Sequence, residues 1–133
     1  MRTSMILAAA FVAFAPMAEA KQPLAEVKPI TQGLLAVGLA DEIRNNCPSI
    51  SARMLRALTF MNKLKSEARA LGYSDEEIRT FRKDRAEKAK MRARGEAYLK
   101  QNGVLKGQPE TYCALGRAEI KKSSQIGALL RAK

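Results

Sequence analysis

The chain has no histidine, no tryptophan and only two cysteines, and it carries 13 Asp+Glu against 24 Lys+Arg in 133 residues. Each shortage excludes something. Without histidine there is no Ser-His-Asp or Cys-His triad, no imidazole metal ligand and no imidazole acid-base group. Two cysteines cannot build a four-thiolate zinc site. Aromatic residues make up only 5%, and none interleaves with the cations as stacking platforms for nucleic acid do. Paired carboxylates are also scarce. Asp75, Glu76 and Glu77 fall at a helix start, where the dipole accounts for them, and Glu110 and Glu119 have no partner legible in the sequence. Gly103 and Gly107 flank a turn and form no phosphate loop. A Ser-Lys arrangement around Lys121, Lys122, Ser123 and Ser124 lacks diagnostic spacing. Tyr73, Tyr98 and Tyr112 read as core or cap residues with a bonded hydroxyl. These absences imply a non-enzyme that needs neither cofactor nor metal. The length fits one domain.

What is present begins with an address. Arg2 precedes an unbroken apolar run from Met5 to Ala15, Pro16 breaks it, and Ala18-Glu19-Ala20 offers small residues where a signal peptidase reads. The run is too short for a membrane-spanning helix, which needs about 20 residues. Residues 1–20 therefore read as a signal peptide cleaved after Ala20, and the mature chain as a soluble periplasmic protein. No cysteine follows the cleavage site to take a lipid, and no later segment is apolar enough to span a membrane. Cleavage removes one residue of each sign, Arg2 and Glu19, and leaves the net charge of +11 intact. In an oxidising compartment the two cysteines of a small domain pair. Cys47 and Cys113 allow one intramolecular bridge, closing a loop of about 66 residues.

The mature chain reads as all-α, with about four helices in one small domain. Residues 21–28 lack a sustained period and read as a flexible lead-in; residues 29–133 form the helical domain. Pro29 opens a first helix, with Leu34, Leu35, Leu39 and Ile43 on one side, that fades at Asn45-Asn46 before Cys47-Pro48. Ser49 or Ser51 caps a second, whose apolar positions are Met54, Leu55, Leu58, Met61, Leu64, Ala68 and Leu71, and Gly72 ends it. Ser74 and Glu77 make a capping box for a third helix running from about Asp75 to Gln101. Pro109-Glu110 opens a fourth, with Tyr112, Gly116, Ile120, Ser123, Gly127 and Leu130 on a slim seam. No strand alternation is visible.

The third helix is strongly basic. Arg82, Lys83, Arg85, Lys88, Lys90, Arg92 and Arg94 are opposed locally by Asp84 and Glu87 alone. Ile78, Ala86, Ala89, Ala93 and Ala97 form a small-residue stripe that should pack against a slim neighbour. Two readings compete. In one, the helix is simply solvated, with Lys83–Glu87, Asp84–Lys88 and Arg92–Glu96 as i,i+4 pairs. In the other, the seven cations form a surface for an acidic protein or an anionic envelope component. Nucleic acid is the poorest partner, because export removes it. The alanine stripe lacks the large apolar face of a lipid-inserting helix.

From Asn46 to Lys133 the chain resembles a family of small exported alphaproteobacterial proteins classed as a domain of unknown function. The stretches that carry the resemblance are NCPSISARMLRAL, ALGYSDEEI, MRARGEAYLKQNGV, GQPETYCALGRAEI and SSQIGALLR. The resemblance implies periplasmic placement and a helical fold, and brings no activity. The expectation is a non-enzymatic binding or accessory factor of the cell envelope using its basic helix. The alternatives are a peripheral protein held electrostatically on an anionic membrane, a holdase-like chaperone and an immunity-type inhibitor.

Overall fold

A computed structural model describes residues 21–133. The signal-peptide reading of residues 1–20 lies outside the described residues.

Helix α1 (Lys28–Asn46) carries Pro29 in its first turn, where a missing N–H leaves no bond unmade. Ala36, Leu39, Ala40 and Ile43 repeat at helical spacing and are all buried. Seven elements follow α1 along the chain. They are β1 (Ile50–Ala52), α2 (Met54–Ala70), α3 (Asp75–Lys83), α4 (Arg85–Gln101), α5 (Pro109–Lys121), the single-turn α6 (Gln125–Ala128) and β2 (Leu130–Ala132). Helices α2, α4, α5 and α6 and strand β1 all touch α1, which makes it the central post. The fold is all-α apart from a short antiparallel ribbon, in which Ile50 faces Ala132 and Ala52 faces Leu130.

Five local readings need correction. The basic third helix is two helices: Asp84 is extended and its carboxylate accepts from the Glu87 N–H at 2.9 Å, so it caps α4 while closing α3. The fourth helix stops at Lys121. Ser123 then adopts a left-handed φ of 50°, and Ser124 caps α6. Ser49 and Ser51 do not cap α2. They belong to the ribbon region, and Arg53 holds the N-cap position without a side-chain capping bond. The ribbon itself, three residues per strand, is too short to show a period of two. Finally, residues 21–28 are not a loose lead-in. A 3-10 turn at Leu24–Glu26 buries Leu24 and Val27, and Lys21 binds the Gly72 carbonyl at 2.7 Å and Glu77 at 2.9 Å.

Two apolar clusters result. One joins the second half of α1 to α5, α6 and the ribbon through Leu39, Ile43, Ile50, Leu115, Ile126, Leu129 and Leu130. The other joins the 3-10 turn, the start of α1, the second half of α2 and α3 through Leu24, Val27, Ile30, Leu64, Tyr73 and Ile78. Gly116 lets α5 approach closely: a Cβ there would collide with Ile50 and Ile43. Cys47, just past the end of α1, is bonded to Cys113 near the start of α5, with Cα atoms 5.1 Å apart.

The bridge spans 66 residues, and closing a loop of that length removes roughly 4 kcal/mol of unfolded-state freedom in the chain-entropy account. Urea denaturation with and without reductant should therefore differ by about that amount. Equal midpoints would show that the bridge constrains nothing.

Candidate functional site on α3 and α4

The capping box expected at Ser74 is formed. Ser74 Oγ accepts from the Glu77 N–H at 3.1 Å and the Ser74 N–H donates to Glu77 Oε2 at 2.6 Å. It fixes the start of α3, and Asp84 fixes the start of α4. Between and beyond these caps the structure exposes all seven basic side chains: Arg82 and Lys83 at the end of α3, and Arg85, Lys88, Lys90, Arg92 and Arg94 along α4.

The local ion pairs that a solvated helix would use are not the ones made. Lys83–Glu87, Asp84–Lys88 and Arg92–Glu96 do not form. Glu87 instead pairs with Lys90 at 3.0 Å, and this hydrogen bond and charge hold the Lys90 ammonium above its usual range. Asp84 spends its carboxylate on the cap. Among the described residues the other six cations have no ion-pair partner.

The face that α4 turns inward is not the alanine stripe. Ala86, Ala89, Ala93 and Ala97 are exposed, whereas Met91, Gly95 and Tyr98 are half-buried and Leu99 is buried. Gly95 lies against Leu35 and Leu39 of α1. The alanines thus form the outermost line of the helix. Arg85, Lys88 and Arg92 run along one side of it, and Lys90 and Arg94 along the other.

Tyr98 accounts for this rotation, through a partner the sequence did not reveal. Its hydroxyl donates to Glu119 Oε1 at 2.5 Å. Glu119, in the last turns of α5, has no exposed surface. Its carboxylate also accepts from the Ser124 hydroxyl and from Lys122 Nζ at 3.0 Å. Burial alone pushes the Glu119 carboxyl up, but the bonds from Ser124, Tyr98 and Lys122 together outweigh it and hold the group below its ordinary value. Burial, and then the bond to Glu119, push the Tyr98 phenol up to about 12, so it remains a neutral donor at physiological pH. The site is therefore a set of outward cations held on a buried, fully bonded carboxylate.

The geometry defines a small helical protein, tied by one disulfide, that presents a basic face. Among the described residues, no helix is long and apolar enough to cross a membrane. The chain belongs to the family of unknown function DUF5333, which matches residues 22–131. No curated protein and no solved structure matches it.

Because the folded Glu119 carboxyl is held below its unfolded value of about 4.5, its contribution is complete above that pH and is lost as pH falls through the folded value. Replacing Tyr98 by Phe removes one donor to a charged acceptor, which should cost about 1.5–3 kcal/mol. It also brings the folded Glu119 value closer to the unfolded one, so less stability is lost on acidification than in the parent protein. Denaturant midpoints of both proteins between pH 3 and pH 7, set by roughly the carboxylate range, check this. Superimposable pH profiles would contradict it.

Proposed function

We propose that this is an exported, periplasmic binding factor without catalytic activity, whose contact surface is the outer face of α3 and α4. Its partner is an acidic protein or another anionic component of the cell envelope. The observation that carries the reading is the set of uncompensated cations. Six of the seven candidate side chains stand exposed without an ion pair among the described residues. Like charges held on one rigid face repel one another, and a polyanionic surface laid against them relieves that repulsion. The Cys47–Cys113 bridge supports export, since such bonds persist in oxidising compartments.

Arg85, Lys88 and Arg92 are exposed on one flank of α4 and make no ion pair among the described residues, so replacing all three by Glu should leave helicity and melting temperature nearly unchanged. Purified protein, immobilised and presented with envelope extract at low ionic strength, should retain a defined set of components. The triple variant should lose them by about tenfold or more, and raised salt should weaken the wild-type interaction through screening. Equal retention by both proteins would overturn the reading.

A further inference from the structure

Helix α2 leaves part of its apolar surface uncovered. Leu64 and Ala68 face the core, but Met54, Leu55 and Leu58 are 57%, 83% and 58% exposed. Leu55 and Leu64 are nine residues apart, which is half a revolution beyond two full turns, so both cannot face inward. An exposure this high means that Leu55 projects from the surface and does not line a recess.

The charged side chains that the surrounding stretches supply are all cations. No Asp or Glu occurs from Ile43 to Ser66 or from Ile120 to Lys133, the stretches that build the ribbon, α6 and the first three turns of α2. Three exposed arginines stand at this end, each held by one N–H. Arg53 Nε donates to the Leu130 carbonyl at 3.1 Å, Arg56 Nη1 to the Ala128 carbonyl at 3.2 Å and Arg131 Nε to Ser51 Oγ at 3.2 Å. None has an ion pair among the described residues. Their remaining guanidinium N–H groups have no partner among the described residues and can donate to oxyanions.

We infer that this end of the molecule seats shallowly in the surface of an anionic lipid bilayer. Met54, Leu55 and Leu58 enter the boundary between head groups and acyl chains, and Arg53, Arg56 and Arg131 take lipid phosphates. Projecting leucines among cations are the arrangement that interfacial helices use. A protein partner is less well matched, because such contacts centre on aromatic anchors in pockets, and the one aromatic of α2, Phe60, is half-buried against the core. The inference rests on α2 and the ribbon, and stands or falls separately from the reading of α4.

The absence of tryptophan makes the test direct. The full mature protein with Leu55→Trp carries a single indole at the proposed contact, and Ala93→Trp carries one on the outer face of α4. On phosphatidylglycerol vesicles the Leu55→Trp protein should shift its emission to the blue and be quenched by brominated acyl chains. On phosphatidylcholine vesicles it should do neither. Leu55→Ser with Leu58→Ser should reduce the fraction bound to phosphatidylglycerol by about tenfold, while Arg85, Lys88 and Arg92→Glu should retain the Leu55→Trp quenching. Unchanged Leu55→Trp emission on both lipids would overturn the inference, whether or not the Ala93→Trp protein responds. So would a blue shift that grows with protein concentration in the absence of lipid, which would assign this face to a second copy of the chain.

Discussion

A carboxylate with no exposed surface sits where α4, α5 and α6 meet. Glu119 accepts from Tyr98 of α4, from Ser124 at the cap of α6 and from Lys122 just past the end of α5. An uncompensated charge at such a position would be strongly destabilising, so the three donors and the acceptor require one another. The consequence reaches the surface. Helix α4 is polar around most of its circumference and buries only Leu99 fully, so hydrophobic packing alone defines its rotation weakly. The bond from Tyr98 fixes that rotation and thereby sends the alanine line and its flanking cations outward.

The remaining framework is ordered around α1. The disulfide joins the end of α1 to the start of α5, and Gly116 lets those two helices come close over Ile43 and Ile50. Next to this lies the ribbon, whose strands come from positions about 80 residues apart. The second apolar cluster closes over the other half of α1 and draws in the segment before it, with Lys21 bonded across to Gly72 and Glu77. A single domain of this size thus has two modest cores, one stapled and one not.

The helical class, the cysteine pairing and several boundaries could be read from local chemistry. Pro29 and Pro109 mark starts, Cys47-Pro48 a stop, Gly72 a left-handed exit and Ser74 with Glu77 a capping box. What escaped depended on tertiary context. Asp84 lies within a strong helical pattern, and only its capping bond shows that the helix breaks there. The Tyr98–Glu119 bond links side chains 21 residues apart on different helices, a separation at which spacing carries no signal. Periodicity identified apolar positions on α2 without telling which of them a neighbour would cover, and the half-revolution between Leu55 and Leu64 divides them into a buried and a bare set. The alanine stripe is legible as a stripe, but small residues suit a wet face as well as a close contact, and here they face solvent.

The central claim is that the buried Glu119 carboxylate holds α4, and with it the basic face, in a defined orientation. Amide hydrogen exchange on a Glu119→Gln protein tests it most directly. Gln replaces a charged acceptor by a neutral one of nearly the same shape. The account predicts faster exchange concentrated over Arg85–Gln101 and the α6 turn, with the centre of α1 and its junction with α5 protected as in the parent protein. A uniform increase along the whole chain, or none over α4, would contradict it.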